Sequence, residues 1–234
     1  PFNPGKEKYS HSEIQVSEPS KDETTKTPIS DAQTHEQNNC PILMVTAGDK
    51  NVETYANLVS VNQKAYADKK GYCFKRYSEN LAKDRAPYWS KIAALKEQMN
   101  QTKEGQWIAW IDASAIITNT EKSFEEVIDK HGGKNIDLIM TNDPQIPINN
   151  AVFLIKNTPW SKDFLDKVWS RQDLAYSGQG KCRPLCHYEQ EAMTDIWEGN
   201  PDANISFEYW YSVKEKKTKV IPNTVMNSFY RFSH

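Results

Sequence analysis

One carboxylate at the end of an apolar stretch is the first candidate for chemistry in this sequence. Asp112 follows Trp107–Ile111, a run of large apolar residues that is typical of a strand buried on both faces. Three small residues come next, Ala113, Ser114 and Ala115, so the backbone there could lie close to a ligand. Ligands of open α/β sheets bind beyond the carboxyl ends of the strands, where an Asp could meet a metal, a ribose or a phosphate. The alternative is an Asp that caps the following turn or helix.

Three further polar residues lie in apolar surroundings. Lys91 is on a predicted amphipathic helix between Trp89 and Ile92. Asn149 and Asn150 interrupt an otherwise apolar strand, where an unpaired amide would be costly. Each has a purely structural alternative: the lysine could be solvated on its helix, and the amides could be satisfied by a neighbouring loop.

The elements that would position these residues alternate between strands and helices. Strands are predicted over residues 41–48, 72–77, 107–111, 137–140, 148–155, 205–211 and 219–222, and helices over 55–71, 89–99, 124–130, 159–169 and 187–197. The first helix has its apolar positions at Tyr55, Leu58, Val59, Asn62 and Tyr66, and Ser123 with Glu126 has the spacing of a capping box before the third. This alternation predicts an α/β fold with a mostly parallel central sheet flanked by helices.

Composition and charge limit which classes of protein this chain can belong to. The chain has 234 residues and a net charge of −2, without a long Lys/Arg block, which argues against nucleic acid as the main partner. Residues 1–39 hold almost no aliphatic side chains and are predicted to be a disordered stem or tether, so the folded domain should span 40–234. Cys40, Cys73, Cys182 and Cys186 could form two disulfides or remain four free thiols.

Several common α/β chemistries lack their motifs here. The sequence contains no G-x-G-x-x-G after the first strand, no G-x-x-x-x-G-K-[ST] and no G-x-S-x-G. The sequence therefore does not indicate a dinucleotide-binding fold of the usual kind, P-loop chemistry or one of the commonest serine hydrolases.

Six short segments resemble glycosyltransferase family 34 in their order and spacing. This family includes the plant xyloglucan xylosyltransferases and the yeast and fungal galactosyl- and mannosyltransferases. The segments are YADKKGY at 66–72, WSKIAAL at 89–95, WIAWID at 107–112, INNAVFLIKN at 148–157, WSKDFL at 160–165 and EQEA at 189–192. Two positions within these segments depart from the family pattern: Lys70 stands where His is usual, and Ala151 stands where Gly is frequent.

The resemblance implies a GT-A fold, in which a D-x-D motif ends a central strand and holds a divalent metal against the donor diphosphate. Asp112 matches the first Asp of the motif, and Ser114 replaces the second, which puts metal binding in question. The family's distant metal ligand is a His near the carboxyl terminus, and His234 is the candidate here. The expected cofactor is Mn²⁺ or Mg²⁺, since hard oxygen ligands suit both ions.

The same resemblance assigns the remaining candidate residues. Lys91 would reach the diphosphate, Asn149 and Asn150 would lie near the donor sugar, and Thr46 and Ala47 at the end of the first strand would meet the nucleoside. Glu189 and Gln190 match the family's acidic-Gln pair, with the glutamine near the anomeric carbon and the acid at the sugar hydroxyls. The alternative for Glu189 is an ordinary acidic first turn of a helix.

The expected function is retaining transfer of a hexose or pentose from a UDP- or GDP-linked sugar to a glycan acceptor. The alternatives are a degenerate, non-catalytic domain that binds a nucleotide sugar or a glycan, suggested by Ser114 and Ala151, and a phosphate-ester hydrolase built around Asp112. Localisation is expected in the Golgi lumen if a membrane anchor precedes the chain, and in the cytoplasm otherwise.

Overall fold

The computed structural model describes residues 40–143, 147–176 and 188–226. Within them the chain forms one six-stranded sheet in the order β2-β1-β3-β5-β4-β6. The strands are β1 Ile42–Ala47, β2 Cys73–Tyr77, β3 Trp107–Ile111, β4 Leu138–Thr141, β5 Asn149–Lys156 and β6 Thr218–Ile221. β1 is parallel to β2 and β3, and β4 is parallel to β6, whereas β5 runs antiparallel to both of its neighbours. The predicted α/β fold with a mostly parallel sheet is confirmed.

Helices cover both faces of the sheet. They are α1 Glu53–Lys70, α2 Ser90–Gln101, α3 Phe124–His131, α4 Pro159–Trp169, α5 Tyr188–Glu198, α6 Phe207–Tyr211 and α7 Asn223–Met226. Side chains alternate along each strand, so Val45 and Trp110 face the core formed with α2, α4 and α5, while Met44 and Ile111 face the core formed with α1 and α3.

Local sequence signals set several helix boundaries. The Ser123 side chain accepts a hydrogen bond from Glu126 N, and the Glu126 carboxylate accepts one from Ser123 N, so the predicted capping box is present at α3. Gly71 ends α1 with φ 71°, a left-handed conformation that glycine adopts without strain. Both signals act within one helical turn, which is why the sequence alone is sufficient to predict them.

The predicted apolar face of α1 is confirmed at Val59 and Tyr66, which are buried, and is wrong at Tyr55 and Leu58. Leu58 is 73% exposed and Tyr55 is 45% exposed, whereas Ala56, Gln63 and Ala67 are buried. The small side chains of Ala56 and Ala67 let the helix lie close to the sheet. The buried Gln63 amide donates to the carbonyl oxygens of Asp112 and Ala115, 2.9 Å away in each case, so a polar side chain holds this face in place.

The strand predicted over residues 205–211 is also wrong. The Ser206 side chain accepts a hydrogen bond from Tyr209 N and caps helix α6, which is followed by a π-helical segment at Ser212–Lys217. Aromatic residues such as Phe207 and Trp210 favour strands in general, but here the cap and the tertiary contacts of the segment determine a helix.

A disulfide links Cys40 to Cys73, and it ties the residue before β1 to the first residue of β2. Cys182 and Cys186 lie outside the described residues. Among the helices of the described parts of the chain, none is both long and apolar enough to cross a membrane.

Candidate active site

The central strand β3 delivers Asp112 to the edge of a cleft. The Asp112 backbone N donates to Ala151 O of the neighbouring strand over 2.8 Å, which extends the β3–β5 pairing to the carboxyl end of β3. The Asp112 side chain is 30% exposed, and its Oδ1 accepts a hydrogen bond of 2.6 Å from Trp110 Nε1. Among the described residues, the Asp112 carboxylate accepts no hydrogen bond from a backbone N–H, as an Asp that caps a turn or helix would. The turn after Asp112 is closed by the hydrogen bond from Ala115 N to the Asp112 backbone oxygen.

A buried lysine ammonium lies at the centre of the site. Lys91 Nζ is 3.2 Å from Asp112 Oδ1 and 3.0 Å from Glu189 Oε1. It also donates to the backbone oxygen and to Oδ1 of Asn150, both at 3.0 Å. Four oxygen atoms therefore surround an ammonium group that carries three protons, so its donor capacity is used inside the protein.

The elements that place this cluster come from distant parts of the chain. Lys91 is in the first turn of α2, Asn150 is the second residue of β5 and Glu189 is in the first turn of α5. The Asn150 amide is 3.5 Å from both Glu189 Oε1 and Met193 Sδ, so it contacts α5 as well. Neither the solvated lysine nor the ordinary acidic helix turn describes these residues, because all three are buried.

Burial and charge act in opposite directions on the two ionisable groups of the cluster. Burial lowers the pKa of the Lys91 ammonium, but the charges of Asp112 and Glu189 outweigh it, so this pKa is raised above its ordinary value. Burial raises the pKa of the Glu189 carboxyl, and the opposing effect of Lys91 only partly compensates. Lys91 therefore stays charged, and Glu189 holds a proton more readily than an exposed glutamate.

The other predicted site residues are distributed more widely. Asn149 faces the opposite side of β5 from Asn150: its amide nitrogen donates to Asp143 Oδ2 over 3.2 Å and its oxygen accepts from Ala151 N. Thr46 is buried, and its hydroxyl has no hydrogen-bond partner among the described residues. Gln190 is half-buried directly after Glu189. His234 lies outside the described residues.

A cavity of about 280 Å³ opens above this cluster at the carboxyl ends of β1 and β3. Of the predicted site residues it is lined by Ala47, Lys91, Asp112, Ser114 and Glu189. Its remaining lining residues are Gly48, Asp49, Asn51, Val52, Tyr55, Pro87, Tyr88, Ser90, Trp110 and Ala113. The cavity therefore brings five of the predicted site residues together, whereas Thr46, Asn149, Asn150 and Gln190 are not among its lining residues.

Two tyrosines of the cleft were missed or misassigned by the sequence analysis. Tyr55 was predicted to be on the core face of α1, but it is half-exposed and lines the cavity. Tyr88, Asp112 and Asp49 line the same cavity, and burial, followed by these three groups, raises the pKa of Tyr55. Tyr88 is 62% exposed. The sequence offers one indication of this role for Tyr88: it is an aromatic residue that follows Pro87 and lies two positions before the start of α2.

Gly48 allows the two sides of the cleft to meet closely. A Cβ atom at this position would lie 3.1 Å from the Cβ atoms of both Ala113 and Ala56, tighter than most real contacts. The small residues Gly48 and Ala113 thus let the end of β1 lie next to the residue that follows Asp112. The predicted approach of this backbone to a ligand stays a prediction.

The described residues do not by themselves fit a divalent metal. Within residues 40–143, 147–176 and 188–226, no group of three His, Cys, Asp or Glu side chains is arranged to hold a metal ion. Ser114 lines the cavity where the D-x-D pattern has an acid, and a hydroxyl is a much weaker ligand than a carboxylate. Asp112 Oδ1 is already shared between Trp110 and Lys91.

The fold and the position of the cleft define a glycosyltransferase fold of the GT-A type. A similar solved structure is described as a "crystal structure of a glycosyltransferase involved in the glycosylation of the major capsid of PBCV-1". It superposes with a TM-score of 0.55 at 17% sequence identity, over 79% of this chain and 82% of that chain. At this level of identity the likeness shows the fold.

The sequence comparison finds a family match over part of the chain. The model of the galactosyl transferase GMA12/MNN10 family matches residues 36–144, a segment that includes β1 to β4, Lys91 and Asp112. This match confirms the resemblance to glycosyltransferase family 34 over that segment. Glu189 and Gln190 lie beyond it, so their assignment still depends on the order of the short segments and on the geometry of the cleft.

Curated relatives carry glycosyltransferase names. The chain is 32% identical to "Probable glycosyltransferase 6" of Oryza sativa subsp. japonica, over 62% of this chain and 30% of that protein. It is 28% identical to "Xyloglucan 6-xylosyltransferase 4" of Arabidopsis thaliana, over 52% and 25%, respectively. It is 26% identical to "Probable alpha-1,6-mannosyltransferase MNN10" of Saccharomyces cerevisiae, over 60% of this chain and 42% of that protein. The match thus spans less than half the length of each of these relatives.

Proposed function

We propose that this chain carries the catalytic site of a retaining glycosyltransferase, which moves a hexose or pentose from a nucleotide diphosphate sugar to a glycan acceptor. The observation that carries the proposal is the buried cluster of Lys91, Asp112, Asn150 and Glu189 beneath the cleft. A buried lysine held between two carboxylates is costly to build, and perturbed ionisable groups in a cleft are typical of functional sites.

The geometry supports a division of roles along the cleft. Ala47 and Tyr55, at the end of β1 and the start of α1, would contact the nucleoside, and Asp112 with Ser114 would lie at the diphosphate. Glu189 and the neighbouring Gln190 would contact the transferred sugar. In the reaction, the bond from the anomeric carbon to the leaving phosphate oxygen breaks and a bond to the acceptor oxygen forms. The acceptor proton would pass to the leaving diphosphate.

The resemblance predicted that Lys91 would reach the diphosphate, and this proposal gives Lys91 a different role. Because its donor capacity is used by Asp112, Asn150 and Glu189, Lys91 would fix the carboxylates rather than bind the diphosphate directly. The described lining of the cleft then has three acidic side chains, Asp49, Asp112 and Glu189, against this one lysine. A diphosphate needs further positive charge, which a cation or a basic side chain outside the described residues would supply.

Mn²⁺ or Mg²⁺ therefore stays a prediction, with Asp112 and His234 as its proposed ligands. Bound there, the cation would supply charge neutralisation at the leaving diphosphate. The choice between UDP and GDP, the identity of the sugar and a Golgi location are likewise predictions. They are motivated by the resemblance and by the plant and yeast relatives.

The experiment that tests the proposal is a binding and turnover screen of the purified chain. Calorimetry and thermal shift would measure affinity for UDP, GDP and their common sugars, each with Mn²⁺, with Mg²⁺ and with EDTA. We expect one nucleotide to bind and its sugar to be transferred to an oligosaccharide, with loss of turnover in Asp112→Asn. Binding without turnover would favour the degenerate alternative, and phosphate release from simple esters would favour the hydrolase.

A further inference from the structure

Two tyrosines stack at the rim of the cleft. The rings of Tyr88 and Tyr188 are 4.8 Å apart, centroid to centroid, and are inclined by only 12°. Tyr88 lines the cavity and is 62% exposed, so the ring face turned away from Tyr188 is open to solvent. A large aromatic side chain is usually buried at least on most of its surface, and this one is held in a fixed orientation while it remains accessible.

The pair connects two of the elements that carry the buried cluster, α2 and α5. Tyr88 belongs to the 3₁₀ turn Pro87–Trp89 directly before α2, which contains Lys91. Tyr188 is the first residue of α5 and directly precedes Glu189. The stacked rings therefore lie next to the end of the cleft where Glu189 and Gln190 would contact the transferred sugar.

The backbone at Tyr188 is unusual. Its φ of 57° is in the left-handed region, which a residue with a side chain rarely adopts. Such a conformation persists where the surrounding structure maintains it, and it concentrates at ligand-binding and catalytic sites. Here it coincides with the stacking of the Tyr188 ring on Tyr88.

We propose that Tyr88, supported by Tyr188, is the acceptor subsite, where one pyranose ring of the acceptor glycan stacks on the open face of Tyr88. This inference rests on the proposed glycosyltransferase function. The C–H groups on one face of a pyranose suit the negative face of an aromatic ring, and the phenol can hydrogen-bond to sugar hydroxyls. The donor sugar is assigned to the buried carboxylates, so the exposed rim next to them is available to the acceptor.

The test compares acceptor and donor affinity in matched variants. Tyr88→Ala should raise the acceptor KM about tenfold, while calorimetry gives a donor affinity within about twofold of the wild type. Tyr88→Trp keeps a stacking surface and should retain most of the acceptor affinity. Tyr176→Ala is the control, because Tyr176 is 70% exposed and does not line the cavity. The acceptor probes are short glucan and mannan oligosaccharides, chosen because one relative's name includes xyloglucan and another's includes mannosyl transfer.

The outcomes separate this proposal from the proposed function. An unchanged acceptor KM in Tyr88→Ala, with normal turnover, would overturn the acceptor subsite and leave the transferase intact. Loss of donor affinity in this variant would also overturn it and would assign Tyr88 to the donor. If the wild type neither binds nor turns over any nucleotide sugar, the proposed function itself fails, and the acceptor subsite fails with it. Since Tyr88 is exposed, thermal unfolding of the variants should match the wild type.

Discussion

Replacing Lys91 tests whether its ammonium is an internal counter-ion. Lys91→Met keeps much of the side-chain volume but removes the charge that contacts Asp112 Oδ1 at 3.2 Å and Glu189 Oε1 at 3.0 Å. It also leaves the two Asn150 oxygens without this donor. Breaking a buried ion pair by removing one partner costs roughly 3–5 kcal/mol. For a domain of this size, that corresponds to a fall in Tm of roughly 6–20 °C.

The matched control is on the same helix. Lys96 pairs with Asp166 over 2.5 Å, but its side chain is 34% exposed and that of Asp166 is 62% exposed. Exposed pairs contribute about 0–1 kcal/mol, so Lys96→Met should unfold within a few degrees of the wild type. The assay is urea and thermal unfolding of both variants, followed by circular dichroism.

A double variant isolates the contact between Lys91 and Glu189. Lys91→Met combined with Glu189→Gln removes the uncompensated buried carboxylate, so the loss should be smaller than the sum of the two single losses by at least about 1 kcal/mol. Because burial already raises the pKa of Glu189, this residue can take up a proton in Lys91→Met. The loss of stability should therefore be smaller at mildly acidic pH than at neutral pH.

One result would refute the reasoning. If Lys91→Met is about as stable as Lys96→Met while donor affinity falls more than tenfold, the ammonium binds the diphosphate directly. The four oxygen contacts would then describe only the protein without its ligand.

Three further predictions concern the cation, the disulfide and one histidine. Ser114→Asp restores the D-x-D pattern and should strengthen the Mn²⁺ dependence of donor binding, as measured by calorimetry with Mn²⁺ and EDTA; an unchanged response would show that this position does not reach the cation. Cys40 and Cys73 close a loop of 33 residues, so replacing both with Ser should lower the free energy of unfolding by about 3–4 kcal/mol, and no change in urea midpoint would contradict this. Burial, with Lys130 and Lys219 nearby, lowers the pKa of His131 below 6.5, so the unfolded chain takes up a proton that the folded chain does not. Stability should thus fall as the pH decreases below about 6.5, less steeply in His131→Gln; parallel curves would contradict the assignment.

Much of the fold could be predicted because its signals are local. The apolar run before Asp112, the Ser123–Glu126 capping box and Gly71 after α1 each act within a few residues, and the structure contains all three as predicted. The strand predicted over 205–211 failed for the opposite reason. Its aromatic residues satisfy strand and helix patterns equally, and the Ser206 cap with tertiary packing determined the outcome.

The same division between local and tertiary signals holds for the residues of the candidate site. The sequence determined which residue types could act: Asp112 at the end of a buried strand, a lysine and two amides in apolar surroundings, and an acid beside a glutamine. It could not distinguish Asn149 from Asn150, since the two differ only in which face of β5 they occupy. Nor could it show that Tyr55 turns from the core into the cleft.

Only the tertiary structure decided that Lys91 is enclosed by oxygens and that Tyr88 stacks on Tyr188. These contacts join distant parts of the chain: Lys91 meets Asn150 of β5 and Glu189 of α5, and Tyr88 of the turn before α2 meets Tyr188 of α5. Their geometry depends on how two helices pack on one sheet, a property that no local pattern encodes. The sequence by itself determined the chemistry available to this protein, and the packing of α2, α5 and β5 determined which of those groups meet.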